Sequence, residues 1–212
     1  MRDIPYFETE FGNAGLVLNQ IPYTNRAYIH LHDYKDLENL VRECVQFCIA
    51  CGAEQVYISG SEDYFADKPY VSLIEMVQLR KNIRETDAYL CSVTDETLNK
   101  WLSLYHDRMT AVDHAAHISE LEGKRMIEES GGYFIHRNGK LLGIGRAKED
   151  TIACVAAIER GAGRDVVLAL CHALTGEYVR LEVASTNLRA IHLYENLGFY
   201  KKREVCRWYR IL

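Results

Sequence analysis

Apolar and polar positions change period several times along the chain, and those changes mark its elements. The clearest helical stripe lies in "STNLRAIHLYENLGFYKK", 185–202, where Ala190, Ile191, Tyr194 and Leu197 recur at helical spacing before a Gly198-Phe199 pair ends the run. Read alone, the stripe makes Tyr194 a packed aromatic of an amphipathic helix. In the first half, an extended lead-in with Gly12, Gly15 and Pro22 precedes a strand at 26–32, a helix over 36–51, a strand at 54–59 and a long strand at 70–82. The pattern changes between Arg84 and Ala88 without a linker-like segment, so two domains are expected, a small α+β unit at 1–87 and a larger one at 88–212.

The second half predicts a strand at 88–94 and helices over 95–108 and 115–129. Gly131 and Gly132 break the second helix before two strands joined at Asn138-Gly139, a strong hairpin signal. A strand at 151–159, a helix over 164–174, a strand at 178–185, the quoted helix and a closing strand at 202–212 follow. Strand, two helices, three strands, helix, strand, helix, strand is the order of an α/β protein built on a mixed sheet of the α+β kind.

Composition narrows the setting. With 212 residues, 48% of them hydrophobic, the chain can bury a sizeable core. No apolar run approaches the roughly 18 residues a membrane span requires, and the first twenty residues, with Glu8, Glu10 and two glycines, do not resemble a signal peptide; a cytoplasmic protein without a membrane partner is expected. Seven cysteines, an odd number set within apolar patterns, suit reduced thiols better than a disulfide framework. Cys44, Cys48 and Cys51 fall at i, i+4, i+7, but the next histidine is His106, so the stripe reads as a buried helical face and no metal is expected. A formal charge of −5 argues against nucleic acid as a partner. A monomer or homodimer is expected.

The stretch "AAIERGAGRDVVLAL" ends a strand, removes side chains at Gly161 and Gly163, and begins a helix whose first N–H groups lack intrahelical partners. Such a turn suits phosphate, with Arg160 and Arg164 flanking it, although loops that merely need positive φ look alike. Two motifs turn this into a resemblance. Arg160-Gly161-Ala162-Gly163 is similar to the pyrophosphate-loop pattern R/Q-x-x-G-x-G/A, and Asn187 to Phe199 is similar to N-x-x-A-x-x-x-Y-x-x-x-G-F, carried by Asn187, Ala190, Tyr194, Gly198 and Phe199. Over roughly 88–212 the chain resembles the GNAT superfamily of acyl-CoA-dependent N-acyltransferases.

The resemblance implies a GNAT fold and acetyl-CoA as acyl donor. It implies that strand 151–159 splays from strand 178–185, with backbone groups of Ala153, Cys154 and Val155 bonding the pantetheine arm as an added strand would. Arg160, Gly161, Ala162, Gly163, Arg164 and Asp165 would wrap the pyrophosphate, and Asn187 would touch the cofactor from the other side. Tyr194 would sit at the thioester sulfur and protonate the departing thiolate. The acceptor is an amine of a small molecule or a protein N-terminus. An alkyl amine with pKa near 10 is almost wholly protonated at neutral pH, a penalty of ~4 kcal/mol unless a base helps, and Glu182 is the candidate base. Glu182 on a strand can equally be a surface residue.

The family pattern has Gly or Ala where this chain has Asp165. That carboxylate either opposes a pyrophosphate or sits in the first helical turn and points away. "HDRMTAVDHAAHISELE" would line the acceptor pocket with His106, Asp113, His114, His117 and Glu120; the i, i+3 spacing of His114 and His117 also admits a metal, with ordinary packed histidines as the plainer reading. The first half repeats the order of elements seen from residue 151 onward without the glycine loop or the Asn-Tyr helix, which makes it either a shortened, degenerate GNAT-like repeat or an unrelated α+β extension. The competing functional reading is a non-catalytic module that holds an acyl-CoA, or has lost it because of Asp165, and acts on a protein partner through its first half.

Overall fold

The structure, a computed structural model, describes residues 5–212; residues 1–4 of the expected first domain lie outside it. The chain forms two compact units, the first from residues up to Leu73 together with Glu204–Leu212, the second from Ile74–Arg203. The expected division at 87/88 falls inside the second of these units. Strand β5 (Tyr70–Leu79) leaves the first unit at Leu73, and β11 (Tyr200–Arg210) returns to it at Glu204.

In the first unit β1 (Tyr6–Thr9), β2 (Gly12–Val17), β3 (Arg26–Tyr34), β4 (Gln55–Ser59) and the end of β11 are neighbours in that order. The lead-in expected to be merely extended is thus a β1–β2 hairpin. Gly12, Asn13 and Gly15 weaken its strand signal, and pairing with β3 supplies what local propensity does not. A one-turn helix α1 (Ile21–Thr24) follows β2. Helix α2 (Leu37–Ala50) starts where Asp36 accepts a hydrogen bond from the Asn39 N–H, and it buries Leu40, Cys44 and Cys48 with Ala27, Ile29, Val56 and Ile58. Burial pushes the Cys44 thiol up to about 12 and that of Cys48 to about 11, as inert packed thiols require. Cys51 departs from the expected stripe, for it caps the helix and is exposed.

In the second unit the strand order is β5, β10 (Tyr178–Ala184), β9 (Thr151–Ala157), β8 (Lys140–Lys148), β7 (Gly132–Arg137), β6 (Tyr89–Ser92). Strand β5 stops at Leu79, and Arg80–Asn82 turn as a 3-10 helix instead of continuing the strand to 82. Helices α5 (Gly163–His172) and α6 (Leu188–Asn196) share a core with Met76, Val179, Leu181 and Val183. Helices α3 (Asp95–Met109) and α4 (Glu120–Glu128) bury Trp101 and Met126 in a separate cluster with Phe134, Ile144 and Ala156. Gly143 lets α5 lie close to β8, since a Cβ there would stand 2.6 Å from both the Ala156 carbonyl oxygen and Val166 Cγ2.

Helix α4 begins five residues later than its apolar pattern suggests. A capping box fixes the start, with Glu122 Oε2 accepting from the Ser119 N–H at 2.9 Å and Ser119 Oγ accepting from the Glu122 N–H at 3.3 Å. Residues 110–119 therefore form a loop in which His114 takes a φ of 59°. His114 and His117 are not on a helix, and the helical ligand spacing that suggested a metal does not exist.

Candidate active site

The parallel pair β9 and β10 is joined by α5, and its register holds through only Arg180↔Thr151 and Leu181↔Ile152. Beyond those pairs both strands run on, β9 through Ala157 and β10 through Ala184, without pairing to each other. On the other side of β9, a register shift sets Arg146 opposite Cys154 and Ala147 opposite Ile152, which leaves Ala153 out of that ladder as well. Ala153 is exposed and Cys154 and Val155 are half-buried, so β9 presents an edge toward the parting of the strands. The first unit provides an internal contrast. Its β3 and β4, also parallel and also joined by a helix, stay paired over all of β4, from Arg26↔Gln55 to His30↔Ser59.

The strand β9 runs into the glycine turn. Gly161 adopts a φ of 84°, and no atom lies within 4 Å of where its Cβ would be, so the turn is open. Arg160 and Arg164 are exposed and have no ion-pair or hydrogen-bond partner among the described residues. Ala162 is buried and serves as the α5 N-cap residue without a side-chain bond, which leaves the first α5 amides to other acceptors. Gly163 has a second duty: a Cβ there would approach Leu193 of α6 to 3.1 Å. Asp165 neither caps the helix nor stands alone. Its Oδ2 accepts from Arg137 Nη1 at 2.8 Å, and Arg137 also lies 3.6 Å from Asp87.

Asn187 is the α6 N-cap, its Oδ1 accepting from the Ala190 N–H at 3.2 Å. The same helix carries Tyr194, which is 8% exposed and packs with Phe199 in the α5–α6 core. Burial, with smaller contributions from Cys154 and Cys171 beside it, pushes the phenol up to about 12. Among the described residues its hydroxyl has no hydrogen-bond partner, and it is not sealed off as an orphaned buried atom. A phenol kept neutral, and unengaged among the described residues, can donate to a ligand that reaches it beside Cys154. Burial likewise pushes the Cys154 thiol up to about 12, which makes it a poor nucleophile.

Alternation along β10 buries Val179, Leu181 and Val183 in the α5–α6 core and sends Arg180 and Glu182 to the opposite face. Glu182 is an exposed residue of that face. Partial desolvation and the neighbouring Glu75 nevertheless raise its pKa above the usual glutamate value, while Arg203 opposes the shift. Glu75 itself is buried and held below the usual range, by Arg203 first and Arg180 after it. Glu75, Arg180, Arg203 and Arg137 were invisible to sequence reasoning. Only the i, i+2 pairing of Arg180 with Glu182 on one strand was available as a signal.

The expected acceptor wall is tied together rather than open. His106 and His117 stack at 4.0 Å with 9° between ring planes, and His106 Nε2 lies 3.0 Å from the Ile118 carbonyl oxygen. Thr186 Oγ1 donates to Asp113 Oδ2 at 2.9 Å, linking the 110–119 loop to the turn before α6. Glu120 pairs with Lys124 at 2.7 Å and faces solvent.

No protein-family model and no curated protein matches the sequence. Solved structures do. A functionally unknown conserved protein from Staphylococcus epidermidis aligns with 99% of this chain and 94% of its own at a TM-score of 0.65 and 12% identity. A GCN5-related N-acetyltransferase from Sphaerobacter thermophilus covers 93% of this chain and 75% of its own, at 0.57 and 13%. A tandem GNAT protein from the clavulanic acid biosynthesis pathway covers 94% and 78%, at 0.55 and 12%. The chain has the mixed α/β fold of the GNAT acetyltransferases, in line with a protein of two GNAT-like repeats.

Proposed function

We propose that the protein is an acyl-CoA-dependent N-acyltransferase that moves an acetyl group from acetyl-CoA to a primary amine of a small molecule or protein N-terminus. The observation that carries this reading is the parting of β9 from β10 directly ahead of an open glycine turn, flanked by two arginines without partners among the described residues. That gap fits a pantetheine arm laid along Ala153, Cys154 and Val155, where Ala153 lacks a partner in either neighbouring ladder. The turn from Arg160 to Arg164 fits the pyrophosphate, with Asp165 paired to Arg137, and Asn187, at the N-cap of α6, would touch the cofactor from the other side. The Sphaerobacter thermophilus neighbour, named as an N-acetyltransferase, supports acetyl as the group moved.

In this reading Glu182 takes a proton from the acceptor ammonium, the freed amine attacks the thioester carbonyl, Tyr194 donates its hydroxyl proton to the sulfur as the C–S bond breaks, and the second nitrogen proton, lost as the amide forms, restores the phenol through solvent. Transfer is direct within a ternary complex. A relay through an acylated Cys154 is disfavoured because its thiol stays protonated at neutral pH.

The test is release of free CoA thiol from acetyl-CoA in the presence of a panel of primary amines. Amine-dependent release is expected. Its rate should fall as pH drops through the raised pKa of Glu182, because the base must be ionised, whereas Tyr194, protonated up to about 12, should impose no alkaline decline across the neutral range. Binding of acetyl-CoA with no release for any amine would favour the non-catalytic module instead.

A further inference from the structure

The charged cluster beside Glu182 contains more than a base needs. Glu75 is a buried carboxylate, its side chain 8% exposed, and it accepts from Arg180 Nη1 at 3.3 Å and Arg203 Nε at 2.7 Å. The two arginines are used differently. Arg180 has no free pair of Nη groups, since its Nη1 is on Glu75 and its Nε also donates to Asp150 Oδ2 at 2.6 Å. Arg203 engages only Nε; its Nη groups have no partner among the described residues, and its side chain is 66% exposed.

A surface arginine ordinarily loses rotamer freedom when it binds a ligand. Here the buried carboxylate has already fixed Arg203, and the remaining Nη–Nη edge of a planar fork matches a carboxylate with two parallel hydrogen bonds. Glu182 shares this face of the sheet and lies within electrostatic reach of Arg203. One anchored cation with an unused edge and one ionisable carboxylate thus share one face of the sheet, linked through Glu75 and Arg180, as the complement of a zwitterion.

We propose that the acceptor is a primary amine bearing a carboxylate, an amino acid, with its ammonium at Glu182 and its carboxylate on the Nη edge of Arg203. The assignment rests on the acyltransferase reading for its chemistry, but the binding it describes does not require turnover. Glu75 then serves to aim Arg203.

The experiment compares a set of amino acids with their carboxamides on the full chain in the presence of CoA, reading both the melting temperature and thiol release with acetyl-CoA. At least one amino acid is expected to raise the melting temperature where its carboxamide does not, and to exceed it in kcat/KM by about 10-fold or more, because a carboxamide leaves the fork half-satisfied. Arg203→Gln should abolish the discrimination. Since that variant also deprives Glu75 of a partner, Arg203→Lys serves beside it, keeping the charge near Glu75 but losing the fork, and it too should bring the acid-to-carboxamide ratio near one. Equal shifts for acids and carboxamides, no shift for any amino acid, or discrimination that survives both variants would each overturn the proposal. Binding selectivity without thiol release would leave the amino-acid site standing and sink the acyltransferase reading alone.

Discussion

Asp165 and Arg137 stand 28 positions apart in sequence and 2.8 Å apart in space. Under the proposed function, their pairing lets a carboxylate occupy a turn that would hold the pyrophosphate. From the sequence, Asp165 either opposed the pyrophosphate or capped the helix, and neither reading contained the arginine that neutralises it. Removing the arginine should expose the problem: Arg137→Ala is expected to weaken CoA binding by about 3- to 10-fold, and Asp165→Ala in the same background should restore it, as coupled neighbours do. Isothermal titration with CoA reads all four combinations, and equal affinities throughout would mean that Asp165 does not face the anion. Tyr194, Asn187 and the glycine turn were legible because each lies within one short motif. Glu75 was not, because its partners Arg180 and Arg203 come from 105 and 128 positions away, and no local pattern encodes such a distance.

The two parallel strand pairs show how far periodicity reaches. Both crossovers, β3 to β4 through α2 and β9 to β10 through α5, were readable as strand, helix, strand. Their difference was not, since nothing in the apolar pattern of 151–157 says that its pairing with β10 stops at Ile152. The register shift opposite Ala153 is equally silent, because it belongs to the pairing with β8. A glycine of β8 seats α5. Gly143→Ala should push α5 off β8 and lower stability by about 1–3 kcal/mol, the usual cost of overpacking a tight contact. Urea denaturation checks this, and an unchanged midpoint would show that the helix has room to spare. The α4 start was misplaced for the opposite reason: an apolar pattern continued through 115–119, but the capping box at Ser119 decided where helical hydrogen bonding begins.

At the scale of the whole molecule, the change of sequence pattern at 84–88 lies within the second compact unit. Met76 is buried in the α5–α6 core and Glu75 holds Arg180 and Arg203, so the second unit draws a strand from before residue 88. A fragment of 88–212 should therefore fail to unfold cooperatively in a thermal melt followed by circular dichroism. A sharp transition at the parent temperature would restore the simpler division at 87/88. The central claim is that the gap between β9 and β10 holds an acyl-CoA whose sulfur meets Tyr194, and Tyr194→Phe tests it most directly, because the ring that packs against Phe199 is kept while one hydroxyl without a partner among the described residues is lost. With an accepted amine, turnover should drop by roughly 10²–10⁴-fold while CoA binding and the melting temperature hold. Acetyl transfer at the parent rate with chemistry rate-limiting, or a stability loss of ~1 kcal/mol with turnover intact, would make Tyr194 a structural residue and contradict the account.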